Sequence, residues 1–343
     1  MRAVVIDRFG ELAEVREVPD PAPPADGAVV RVDATGVCRS DWHAWRGHDR
    51  DVTLPHVPGH EFAGTVAALG PEVGGWSVGA RVTAPFVFAC GRCEQCRAGD
   101  GQVCPHQTQP GFTHDGSFAE YVVVRRAEVN LVALPDDVDA VAAASLGCRF
   151  ATAYRAVAAQ GRPRPGDWLA VHGCGGVGLA AVMVGVSLGA RVVAVDVDPA
   201  ALAAATALGA EATLSPPTAT ALVELTGGGA HVAVDALGRA ATFADALAGL
   251  RPRGRHVQVG LLVGDDAAPP VDMARVIGRE LEVLGSHGMA AVDYPGMLAA
   301  ITVGRLDPRR LVGRTVGLAE VPAALAAMDS PSAAGGGVTV ATP

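Results

Sequence analysis

Trp168-Leu169-Ala170-Val171-His172-Gly173-Cys174-Gly175-Gly176-Val177-Gly178 passes from a buried strand into a glycine-rich turn with no spacer between them. An apolar helix follows as far as Leu188, and a second strand, Arg191-Val192-Val193-Ala194-Val195, ends on Asp196. A glycine triplet of this spacing means little alone. Placed between a strand and a helix, and followed by a strand that ends on an acid, it reads as a pyrophosphate cradle. Gly173 permits the tight turn, Gly175 lets the backbone approach a phosphate, and Gly178 lets the helix lie close on the strand. Gly176 and Val177 belong to the same turn, and the N-terminus of the helix that follows supplies free N–H groups and a positive dipole end that favour phosphate. Asp196 is placed to accept from both ribose hydroxyls and would repel a 2′-phosphate, so NAD(H) is expected over NADP(H). The alternative for Asp196 is a plain helix cap at Pro199.

Outward from this unit the alternation of strand and helix continues. Residues 200–208 read as helix, 231–235 as strand, 241–250 as helix, 256–260 as strand and 281–285 as a last strand. Strands separated by helices imply a parallel, doubly wound α/β sheet. The expected boundaries are residues 150–285 for this domain, with 1–149 and 286–343 forming a second one. That second domain reads differently: short strands at 4–6, 28–32, 61–66, 80–83 and 117–124 are punctuated by glycine and proline, which suggests an all-β, barrel-like half. A helix near 294–303 and the tail are expected to return to it.

Composition narrows the class. Half of the residues are hydrophobic and 18% are charged, which fits a packed globule and not a disordered chain. The formal charge is -9, with no basic stretch, so nucleic acid is not an expected partner. No apolar run is long enough to span a membrane, and the N-terminus enters a strand without a signal-like segment. A cytoplasmic location follows as an expectation, and the odd count of seven cysteines fits metal ligation better than a disulfide framework.

Two sulfur clusters stand out. Cys90-Gly91-Arg92-Cys93-Glu94-Gln95-Cys96, followed by Cys104, has the spacing of a closed four-thiolate zinc site that holds structure together. The acidic residues in its loop argue against a nucleic-acid knuckle. The other cluster is Cys38-Arg39-Ser40-Asp41-Trp42-His43 with Gly59-His60-Glu61, in surroundings that read as strand and loop. Thiolate and imidazole suit zinc, and a catalytic site needs a third ligand and an open position. Cys148, in Leu146-Gly147-Cys148-Arg149, is the best candidate for the third.

With these residues in view, the sequence resembles the zinc-dependent alcohol dehydrogenases of the medium-chain dehydrogenase/reductase superfamily over essentially its whole length. Gly59-His60-Glu61-x2-Gly64-x5-Gly70-x2-Val73 matches the family's zinc signature at every fixed position, and the four-cysteine loop and the glycine fingerprint follow in the family's order. The resemblance implies a GroES-like β-rich catalytic domain joined to a Rossmann NAD-binding domain. It implies two zinc ions per chain: a catalytic one on Cys38, His60 and Cys148, and a structural one on Cys90, Cys93, Cys96 and Cys104. It also implies that Asp41 orients His60, that Glu61 can approach the metal when ligands exchange, and that Ser40 and His43 relay the alcohol proton through the cofactor ribose. Arg39 matches a position that contacts pyrophosphate, and Phe86 one that lines the substrate pocket. The implied reaction is reversible hydride transfer between an alcohol and NAD, giving an aldehyde or ketone, in a homodimer or homotetramer. A polyol or amino-alcohol dehydrogenase, or a non-catalytic NAD(H) sensor, would share the scaffold. The sequence departs from relatives at Cys174, where a smaller residue is usual, and at 335–340, which lacks the family's basic residue.

Overall fold

The computed structural model describes residues 1–216, 218–330 and 337–343; Gly335 and Gly336 of the departing tail lie outside them. By internal contacts the chain divides into Met1–Ala151 with Gly288–Pro343, and Thr152–His287.

In Thr152–His287, six strands form one wholly parallel sheet. Their order across it is Ala212–Leu214, Arg191–Val195, Trp168–His172, Ala230–Asp235, Leu250–Gln258 and Glu282–Gly285. The first strand in sequence, Trp168–His172, is thus central, and the chain winds outward from it in both directions, as the doubly wound reading required. All five of its residues are buried, as expected for a strand covered on both faces. Three elements escape a reading of periodicity: the strand Ala212–Leu214 and the helices Ala219–Thr226 and Met273–Arg279. Three residues are too few to show a period of two. The two helices begin on side-chain caps, Thr218 accepting from Ala221 N and Asp272 from Arg275 N.

In the other unit, Ala28–Val37 is the spine of a seven-stranded sheet. One edge of it pairs antiparallel with Phe62–Leu69; the other is shared end to end by Tyr121–Val124 and the C-terminal strand Val338–Thr342. The tail therefore does belong with the β-rich unit. Val30, Val32, Phe62, Val66, Val82 and Phe88 form much of its core. The all-β expectation needs one correction, because this unit also contains the helices Arg39–Trp45 and Val321–Ala326, beside the Ala-rich Ala140–Ala144 and the expected Tyr294–Thr302. The first of them replaces what reads in sequence as loop, and it carries the site.

Candidate active site

The helix Arg39–Trp45 begins where it does because of Asp41. Cys38 is the extended residue before the first turn, and its backbone N–H donates to Asp41 Oδ2 at 2.9 Å. This is the returning half of a capping box, with aspartate where glutamate is commoner. The other oxygen, Oδ1, accepts from Gly59 N at 3.1 Å and from His60 Nδ1 at 2.8 Å. One wholly buried carboxylate thus fixes a cysteine and a histidine that lie 22 positions apart. With Nδ1 as donor, a neutral His60 ring presents its lone pair at Nε2, which is buried with no hydrogen-bond partner among the described residues. An orphaned buried acceptor of this kind is costly unless a ligand takes it up.

Cys148 is brought to the same place by its neighbours. Leu146 O accepts from the buried Tyr294 hydroxyl at 2.8 Å, and Gly147 O accepts from Phe86 N at 2.9 Å. Cys38, His60, Glu61 and Cys148 each offer one atom, and these four atoms lie within 4.8 Å of one another. The donor set of two sulfurs, one imidazole nitrogen and a carboxylate fits zinc. The Cys148 thiol, through its hydrogen bond, holds the Cys38 thiol well below its usual pKa despite burial, and Arg149 adds to the effect. Cys148 is correspondingly raised, through its hydrogen bond with Cys38 and its burial.

Glu61 is fully buried and faces Arg149. It accepts from Arg149 N at 2.7 Å and from Nε at 3.0 and 2.9 Å, and Arg149 Nη2 closes a fork on the second oxygen. Burial pushes the Glu61 carboxyl up to about 7, with the Arg149 charge pulling the other way. The remaining guanidinium nitrogen, Nη1, donates to Val37 O at 3.2 Å. The fork fits only because position 36 is glycine: a Cβ there would lie 2.3 Å from Glu61 Oε2 and 2.7 Å from Arg149 Nη2. Nothing in the sequence reading singled out Arg149 beyond its place after Cys148. Its signal was a lone charge between Cys148 and Phe150 in an apolar run, since buried arginines are rare without a partner. Phe86 lies beside His60, ring centroids 6.1 Å apart, and Phe112, also missed, lies at 5.2 Å.

The second sulfur cluster is assembled locally. The Sγ atoms of Cys93 and Cys96 are 3.4 Å apart, Cys93 and Cys104 3.8 Å, and Cys90 and Cys96 3.9 Å. Backbone N–H groups of Cys90, Cys96 and His106 point at cysteine sulfurs in the cluster, which favours thiolate character. Buried Asn130 ties the base of the lobe, accepting from Ala89 N at 2.8 Å and donating to Arg125 O at 2.9 Å. Among the described residues no carboxylate or imidazole joins this cluster.

The remaining site candidates lie in two places. Ser40 Oγ is 3.9 Å from Cys38 Sγ. His43, one turn on, pairs through Nδ1 with His48 Nδ1 at 3.0 Å, and Trp42 packs edge-on against both rings. Arg39 stacks over Trp42 at 5.0 Å and donates to Met328 O at 2.5 Å. In the parallel-sheet unit, a Cβ on Gly178 would sit 1.7 Å from Gly173 O, so the helix Gly176–Ser187 can pack only as it does with glycine there. Space above Gly175 is open. Asp196 accepts from Cys174 N at 2.6 Å and Asp198 N at 2.9 Å, which pins the acid beside the glycine turn. The helix at Pro199 is capped instead by Asp198, through Ala200 N, so capping is not the task of Asp196. Burial drives the Cys174 thiol up to about 12, so its place in the turn does not activate it.

With this geometry in hand, residues 24–136 match the alcohol dehydrogenase GroES-like domain model and residues 176–302 the zinc-binding dehydrogenase model. An alcohol dehydrogenase of Geobacillus stearothermophilus is 36% identical over 76% of this chain and 78% of its own. The chain belongs to the zinc-dependent alcohol dehydrogenases of the medium-chain dehydrogenase/reductase superfamily. Two solved members of the family cover the whole chain. The alcohol dehydrogenase TADH from Thermus sp. ATN1 is 34% identical, with 99% of that chain covered and a TM-score of 0.90. An NAD-dependent alcohol dehydrogenase is 31% identical, with 100% covered and a TM-score of 0.89.

Proposed function

We propose that this zinc-dependent alcohol dehydrogenase oxidises an alcohol to an aldehyde or ketone, reversibly, with NAD as hydride acceptor. The observation that carries the reading is the convergence of Cys38, His60 and Cys148 with the orphaned His60 Nε2 among them. These three residues would hold one zinc, and Cys90, Cys93, Cys96 and Cys104 a second. Bound zinc supplies Lewis acidity that makes an alcohol proton easier to lose, and NAD takes up the hydride.

The chain's residues do the rest. Asp41 keeps the His60 tautomer and ring orientation through its hydrogen bond to Nδ1. Ser40 Oγ would accept the alcohol proton while releasing its own hydroxyl proton, which would pass by way of the cofactor ribose to His43 and then to solvent. Burial lowers the pKa of His43, aided by neighbouring His48 and Arg39, so the ring is neutral and ready to accept a proton at neutral pH. Phe86 and Phe112, beside His60, give the substrate an apolar wall. Gly173, Gly175, Gly176, Val177 and Gly178 cradle the pyrophosphate, and Asp196 binds the ribose hydroxyls. Arg39 is already engaged with Met328 O, so a pyrophosphate contact would require it to exchange partners.

We further place the enzyme in the cytoplasm, supported by seven free cysteines. Among the described residues no helix is long and apolar enough to cross a membrane. A homodimer or homotetramer joined through the edge strand Glu282–Gly285 is the assembly we favour, since Val283 on that edge is 42% exposed. NADH formation from a panel of primary, secondary, benzylic and polyol alcohols, with and without a chelator, tests the function. Chelator-sensitive turnover of at least one class is expected; NADH binding without turnover of any alcohol would make the chain a cofactor sensor.

A further inference from the structure

Glu61 places a carboxylate oxygen within 4.8 Å of the sulfur and nitrogen atoms of Cys38, His60 and Cys148. Four donors so close together would fill a tetrahedral ion completely and leave no corner for substrate. The carboxylate is held by another group. Arg149 forks onto both of its oxygens, and Arg149's own backbone N–H donates a further bond to Oε1 at 2.7 Å. Arg149 is itself anchored by Val37 O and is only 8% exposed.

We propose that Arg149 is a positioning residue that withholds Glu61 from the metal and so keeps the fourth coordination position open for the alcohol. The inference rests on the reading of Cys38, His60 and Cys148 as ligands. Arg149 follows the third ligand directly in sequence. Its fork therefore does two things: it restrains the carboxylate, and it fastens the Cys148 segment to the strand that begins just after His60 and Glu61. A guanidinium suits this task because it stays charged when buried and grips both carboxylate oxygens, which a lysine ammonium cannot do. Gly36 supports the assignment, since any side chain at that position would collide with the fork.

The test reads the open position directly. The enzyme is loaded with cobalt(II) in place of zinc and titrated with imidazole, an outside ligand that needs a vacant corner, while the visible cobalt bands are followed. Wild type should bind imidazole. Arg149→Met should lose affinity by about tenfold or more, and Arg149→Lys by less, because outer residues shift metal-site behaviour by roughly 10–100-fold. Adding Glu61→Gln to Arg149→Met should restore binding. The proposal fails if Arg149→Met and Arg149→Lys bind imidazole as wild type does. It also fails if the loss persists in the double variant, which would make Arg149 a packing residue only. Cobalt bands in the wild-type protein that survive Cys38→Ala and Cys148→Ala unchanged would instead overturn the ligand reading itself. Should Arg149→Met not fold, Arg149→Lys alone and paired with Glu61→Gln carries the same comparison.

Discussion

The two sulfur clusters occupy the same unit and share a chemistry, yet they are built on opposite plans. Cys90, Cys93, Cys96 and Cys104 come from one short loop, offer four like donors, and are partly exposed at Cys93 and Cys96. Cys38, His60 and Cys148 come from three separated segments and mix sulfur with nitrogen. Behind them stand two buried carboxylates, Asp41 and Glu61, each tied to a different partner. A closed site needs only its ligands, because the metal itself organises the loop. An open site must be held in shape when one corner is vacant or exchanging, so it needs outer residues that keep ligands in place and stray donors away. On the function proposed above, the difference in scaffolding is a difference in task.

The sharpest way to break this comparison is to remove one sulfur from each cluster. Cys148→Ala should lower turnover on the order of 10³-fold, reflecting the loss of several kcal/mol of Lewis-acid stabilisation, and lower metal content by one ion per chain. Cys96→Ala should also lose one ion, but its main effect should be a fall in melting temperature on the order of 5–10 °C, with turnover at low temperature little changed. Metal analysis, kinetics and thermal melts on both variants check this; loss of turnover at unchanged melting temperature in Cys96→Ala would erase the distinction.

A smaller effect is expected from Asp41→Asn, which keeps the shape of the carboxylate but removes its charge. Metal affinity at the open site should fall about tenfold. Competition with a chromogenic chelator should show one fast-releasing ion and one unchanged ion. Smallest of all should be Asn130→Ala, which removes the tie beneath the closed site. It should cost about 1–3 kcal/mol, read as a few degrees of melting temperature, with kcat and KM unaltered. If Asn130→Ala changed kcat as strongly as Asp41→Asn does, the two clusters could not be separate in function.

Much of this was legible beforehand because it is local. The closed site lies within 15 residues, and the glycine turn sits between a strand and a helix whose patterns are plain in the chain. The helix Arg39–Trp45 was not legible, since cysteine is an uncommon cap and its signal, an aspartate three residues on, is weaker than the usual glutamate. Ala212–Leu214 was missed because a strand of three residues has no measurable period.

The sequence by itself determined the fold class, the alternation of most strands and helices in the parallel-sheet unit, the clustering of four cysteines in one loop and the kinds of donor available to the other cluster. All of these follow from spacing along a chain, which local geometry converts directly into structure. Only the tertiary structure decided that one carboxylate, Asp41, serves Cys38 and His60 together, and that Arg149 takes Glu61. Those pairings join residues up to 88 positions apart. The sheet of the β-rich unit brings them together, and burial makes an unpaired charge costly, which favours these pairings.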